Sequence, residues 1–159
     1  MGTEFYIETD TDTLGDRFRQ SAGGTAMLLT WMGEFGMLIE GDPAHRPYLA
    51  EFDLSPDDFD GPVGDGKIKP AKAQAFAAAQ EAARQRLESY DPSAAGIPRY
   101  KVDSNEGWLI APQEITAALA AYDSHPAAER RDAERSGYCD WPGWIAFLRR
   151  AVASGIRVY

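Results

Sequence analysis

The sequence predicts an α+β fold: a small mixed or antiparallel sheet, N- and C-terminal strands included, packed with about four to five helices. Three observations predict it. Short segments rich in aromatic and β-branched residues, FYIE, RYKV, WLIA and IRVY, alternate with longer stretches whose apolar residues recur at helical spacing. The last stretch runs helix, glycine, strand, so IRVY is expected to enter the same sheet as FYIE. The 159 residues, 44% of them hydrophobic and with eighteen aromatics, suffice for one core, so residues 1–159 are expected to form a single globular domain.

FYIE at residues 5–8 is the first expected strand. Thr13, with Asp16 three residues on, resembles a helix N-cap, with Leu14 and Phe18 on one face and Gly23 and Gly24 ending that short helix. From Thr25 to Glu40, Leu28, Trp31, Met32, Phe35, Leu38 and Ile39 form a helical stripe. Gly33 and Gly36 weaken it, so two strands about a GEFG turn compete with the helix, which is preferred. Pro70 opens the clearest helix, with Phe76, Ala79, Ala83, Leu87 and Tyr90 on one face. RYKV and WLIA flank DSNEG and read as a hairpin. Pro112 suits the first helical position, with Glu114 in the first turn and Ile115, Ala118, Leu119 and Tyr122 facing inward. HPAAERRDAERSG fits either a flexible link or an exposed helix. Asp140 caps the final helix, whose inward residues are Trp144, Leu148, Ala151 and Val152, and Gly155 stands where a helix-ending glycine belongs.

The segments GWLIAPQEITAALAAY and WPGWIAFLRRAVASGIRVY, within residues 107–159, resemble the C-terminal half of small bacterial proteins of unassigned function. The shared positions are mostly core and capping positions, and the resemblance implies no activity.

Charge divides the chain. Residues 1–66 hold fourteen acids and three bases, whereas residues 67–159 hold eleven acids and thirteen bases, within an overall net charge of −9. The first part repels phosphate backbones, which disfavours direct nucleic-acid binding; it suits a basic protein partner or merely keeps the protein in solution. Cys139 stands alone, which excludes an internal disulfide framework. MGTEFYIETD lacks the basic and apolar regions of a signal peptide, and TAMLLTWMGEFGMLIE is too short and too interrupted for a membrane span. A soluble, cytoplasmic protein is expected.

The stretch EFDLSPDDFDGPVGDG, residues 51–66, carries six carboxylates and no base. A regular calcium loop starting at Asp53 would need Gly at its sixth position and Glu at its twelfth; Asp58 and Gly64 stand there instead. A capped turn accounts for more: Ser55 as N-cap, Pro56 at the first position, Asp57 and Asp58 at the positive helix end, with Leu54 and Phe59 pinning the turn to the core. An irregular metal site and a partner-facing surface remain as alternatives. The residues expected to meet a partner are Glu51, Asp53, Asp57, Asp58, Asp60, Asp65 and Trp141, the last because its position beside Tyr138 in the first turn of a helix favours partial exposure.

Other constellations are sparse. His45 has Asp42 nearby but no second histidine or cysteine to complete a metal set. His125 and Glu129 are four apart, yet Pro126 disfavours helical backbone at His125. Cys139 near a helix start could act as a thiolate, but Asp140 opposes that charge. No phosphate loop, dinucleotide fingerprint, nucleophile elbow, HExxH or CxxC is present. No catalytic residue, cofactor or metal is therefore assigned. The leading expectation is a non-enzymatic protein-binding or inhibitor/immunity-type module presenting an acidic face to a basic partner. The alternative is a small enzyme or ligand-binding domain with an aromatic-lined pocket near Trp108, Tyr138 and Trp141 and acid–base work by carboxylates or His45.

Overall fold

A computed structural model describes residues 2–9, 15–61 and 66–159. The elements in chain order are β1 (Gly2–Ile7), β2 (Arg17–Ser21), α1 (Ala22–Glu34), β3 (Leu38–Ile39), β4 (Phe59–Asp60), β5 (Lys67–Ile68), α2 (Ala73–Glu88), β6 (Ile97–Pro98), α3 (Arg99–Val102), β7 (Trp108–Ile110), α4 (Pro112–Ser124), α5 (Ala127–Glu134), α6 (Trp141–Ala151) and β8 (Ile156–Val158). The chain divides into two compact units, one made of Met1–Pro43 with Tyr90–Tyr159 and the other of Ala44–Ser89.

The first unit is built on an antiparallel four-stranded sheet in the order β2-β1-β8-β7. As the helix–glycine–strand pattern predicts, the C-terminal strand lies beside the first. Phe5 faces Val158 and Ile7 faces Ile156, and Val158 and Ile156 in turn face Trp108 and Ile110. The α+β expectation, with both terminal strands in one sheet, therefore describes this protein. Helix α6 lies on the sheet: Trp144 packs on Phe5 with ring centroids 4.8 Å apart and on Phe18 at 5.3 Å, and Phe147 also meets Phe18.

Several elements depart from expectation. The short helix expected around Leu14 and Phe18 gives way to β2, because pairing with β1 places Phe18 opposite Phe5 on the core face; Thr13 and Leu14 lie outside the described residues. Gly23 and Gly24 open a helix instead of ending one: Ser21 caps α1 by accepting from the Gly24 N–H at 3.1 Å. Helix α1 stops at a Schellman motif, in which the Met37 N–H donates to the Met32 carbonyl, the Gly36 N–H donates to the Gly33 carbonyl, and Gly36 adopts φ +65°.

RYKV is not a strand of a hairpin but the one-turn helix α3. The reason is Lys101, which is fully buried and turns its ammonium onto the Leu109 carbonyl at 2.8 Å and the Glu114 carboxylate at 2.9 and 3.0 Å. Glu114 also accepts from the Ala111 N–H at 2.7 Å, completing the start of α4 that Pro112 announces. Within HPAAERRDAERSG, Ala127–Glu134 form helix α5. Asp140 caps α6 as predicted, accepting from the Gly143 N–H at 2.9 Å, although Val152, expected to face inward, is exposed.

The second unit holds the β4–β5 ladder, 3₁₀ turns at Leu49–Phe52, Pro56–Asp58 and Pro70–Lys72, and helix α2. Leu54 and Phe59 are buried, and Phe59 meets Phe76 of α2 edge-on at 5.5 Å. Of the face expected on α2, Phe76, Ala79 and Leu87 are half-buried, while Ala83 and Tyr90 are exposed. Among the described residues, no helix is long and apolar enough to cross a membrane.

Candidate functional site

Residues 55–59 of the acidic run fold as a capped turn. Ser55 adopts extended backbone, Pro56 begins the 3₁₀ turn, and the Asp58 carboxylate reaches back to the Ser55 N–H at 2.9 Å and its hydroxyl at 3.1 Å. Those bonds hold the Asp58 carboxyl below its ordinary value, first through the backbone N–H. Asp53 closes the preceding turn in a left-handed conformation, φ 54°, and draws the Lys72 ammonium to its carbonyl at 2.6 Å and its carboxylate at 2.7 Å. Glu51 accepts from the Tyr48 N–H at 2.8 Å and meets His45 Nε2 at 2.9 Å; the His45 contact, then the N–H, lowers its pKa. Glu51, Asp53 and Asp58 thus each have an intramolecular role.

Asp57 and Asp60 do not. Both are exposed, and among the described residues neither carboxylate has a hydrogen-bond or ion-pair partner. Lys69 reaches only the backbone carbonyl of Asp57. Asp65 lies outside the described residues. A hollow of about 370 Å³ is lined by Asp53, Ser55, Asp58 and Lys72, so its single ammonium offsets only one of its two carboxylates. Among the described residues, no group of three or more His, Cys, Asp and Glu side chains is placed to hold a metal ion.

Trp141 corrects an expectation. It is fully buried, stacked on Phe35 at 5.6 Å and edge-on to Tyr122 at 5.7 Å, because α1 and α4 both converge on the first turn of α6. Trp108 is buried as well, at 1% exposure, and only Tyr138 of the expected aromatic pocket is exposed. Two buried tryptophans cannot wall an open pocket there. Burial, reinforced by Asp140, pushes the Cys139 thiol up, away from thiolate chemistry.

A different cleft, of about 330 Å³, opens in the first unit between α1 and α5. Its lining is Trp31 and Glu34 from α1, Phe35 at the C-cap of that helix, His125 from the α4–α5 corner, and Glu129 and Asp132 from α5. Trp31 and Phe35 lie near parallel, 28° apart with centroids at 6.2 Å, and the His125 ring stands on Phe35 at 88° and 5.1 Å. Phe35 is also fixed from behind by Tyr122 and Trp141, so the floor is rigid. His125 and Glu129 do not share a helix, as Pro126 implies. His125 is in extended conformation at the end of α4, yet its Nδ1 lies 3.0 Å from the Glu129 carboxylate on α5. Glu34 and Asp132 are exposed and have no partner among the described residues. The sequence carries half of this signal, since Trp31, Glu34 and Phe35 share one helical face, and His125, Glu129 and Asp132 recur at helical spacing. That the two faces meet is a property of the fold.

Comparison with known proteins finds no matching family model, no matching curated protein and no matching solved structure.

Proposed function

We propose that the protein is a soluble, cytoplasmic, non-enzymatic binding module that presents an acidic surface to a basic protein partner and does not bind nucleic acid directly. The observation that carries this reading is the pair Asp57 and Asp60, exposed and, among the described residues, without a hydrogen-bond or ion-pair partner, beside Glu51, Asp53 and Asp58, which are engaged. The stretch around that turn, residues 51–66, holds six acids and no base, a local excess that would speed encounter with a basic surface and reject acidic ones.

The decisive variant is Asp57→Asn/Asp60→Asn, because substituting Asp58 or Asp53 would also disturb the turn. Affinity capture from the native cell extract with wild type should yield a stoichiometric basic partner. Affinity measured for the recovered pair should fall steeply with added salt and fall again in the double variant. Binding indifferent to both salt and the substitutions would overturn the reading.

A second reading, a ligand-binding domain, is favoured by the cleft at Trp31, Phe35 and His125, which combines aromatic walls with carboxylates and a histidine as ligand sites do.

A further inference from the structure

We propose that the cleft between α1 and α5 binds an organic cation, an alkylammonium or guanidinium group. This inference rests on the ligand-binding reading of the cleft and takes it to the class of ligand.

The argument starts from the walls. An indole face is the strongest aromatic partner for a cation, and Trp31 is half-buried at the edge of the cleft with Phe35 and the His125 ring beside it. Such a corner of rings favours a large, weakly hydrated cation with apolar substituents. A small, strongly hydrated metal ion would have to shed water against carbon and, among the described residues, would find no group of three or more ligating side chains in return.

Charge points the same way. The cleft is lined by three carboxylates, Glu34, Glu129 and Asp132, and by no lysine or arginine. His125, the one lining group able to become cationic, is already taken by Glu129. Glu34 and Asp132 are left to meet a positive charge from outside, whereas an anionic ligand would face repulsion at the rim.

Size and rigidity complete the case. About 330 Å³ is at the small end of ligand sites and matches a single head group better than an extended molecule. Because Phe35 is clamped between Tyr122 and Trp141, little side-chain freedom is lost when the cleft fills.

The cation could be a free small molecule or a basic side chain of a peptide. The test uses the full chain, labelled with ¹⁵N, and follows the indole N–H signal of Trp31, assigned with Trp31→Phe. The probes are choline, N-acetyl-arginine amide, N-acetyl-lysine methylamide, and 3,3-dimethylbutanol as the neutral shape-mimic of choline. A saturating shift of the Trp31 signal with a cationic probe, at least about tenfold tighter than with the neutral mimic, is expected; that ratio corresponds to one strong cation–aromatic contact. Choline binding alone would identify a free ligand, and binding of the blocked amino acids alone would identify a partner's side chain; either result supports the cation site. Equal binding of choline and its neutral mimic would overturn the cation inference while leaving a ligand cleft, and no shift with any probe would end both. Glu34→Gln/Asp132→Asn changes only exposed side chains and so keeps the fold. Cation affinity should fall several-fold in this variant, and an unchanged affinity would also refute the inference.

Discussion

Gly36 and Gly155 adopt the same left-handed backbone, φ +65° and +89°, but different surroundings, and the contrast separates two costs of replacing them. A Cβ on Gly36 would meet nothing within 4 Å, so Gly36→Ala should lose only the conformational term, about 1 kcal/mol. A Cβ on Gly155 would sit 2.9 Å from the Ile110 carbonyl oxygen, with the Leu109 and Pro112 side chains close behind. Gly155→Ala should therefore cost distinctly more, about 2–3 kcal/mol, because the sheet must shift to admit it. Denaturant midpoints of the two variants at equal slope would check the order; equal losses would show that the contact at Gly155 relaxes freely. At this scale much was legible. Ser55, Pro56 and Asp58 announce their own capped turn, since each acts on backbone within three residues. Trp141 was not legible, because the rings that cover it, Phe35 and Tyr122, arrive from other elements.

At the scale of elements, Lys101 and Glu114 join α3, the end of β7 and the start of α4 into one corner. Burial pushes the Glu114 carboxyl up and the Lys101 ammonium down, and each partner partly restores the other. A buried pair of this kind is hard to break from one side. Lys101→Met leaves a buried carboxylate and should cost about 3–5 kcal/mol, whereas Lys101→Met/Glu114→Leu should recover much of that loss. The single variant should also become less unstable in acid. A carboxyl with a raised folded pKa contributes its stability below the ordinary value of 4.5, and loses it as pH rises through the folded value. Urea unfolding of both variants at neutral and acidic pH would measure this; a double variant no more stable than the single would mean that packing dominates the corner. The same pair explains why RYKV reads as a strand and is a helix: its local pattern alternates, but the ammonium must be placed on Glu114, thirteen residues away. Where an element's identity rests on its own periodicity and caps, as in α4 and α6, sequence and structure agree. Where it rests on a partner, as in β2 and α3, local propensity loses. The cleft belongs to this second class, each wall patterned in sequence and their meeting supplied by the packing of α1 against the α4–α5 corner.

For the molecule as a whole, β8 is the strand on which the first unit closes. It lies between β1 and β7, so without it the four-stranded sheet becomes one two-stranded pair and a lone strand. Its side chains Ile156 and Val158 are fully buried in the same core as Phe5, Ile110 and Trp144. Arg157 extends the tie, donating to both Glu8 carboxylate oxygens at 2.9 and 3.1 Å and to the Gly107 carbonyl at 3.2 Å. Beyond the strand, Tyr159 exchanges backbone hydrogen bonds with Glu4 and sets its ring edge-on to Tyr6. A two-stranded pair is marginal by itself, and loss of two buried aliphatic side chains alone is worth about 4 kcal/mol or more, a large part of the stability of a small domain. A chain ending at Gly155 should therefore lose its cooperative thermal transition, while Arg157→Ala, which leaves the strand in place, should lower the melting temperature by only a few degrees. Calorimetry of both would decide the matter: an unchanged melting temperature in the shortened chain would mean that the helices carry the fold and the sheet is secondary.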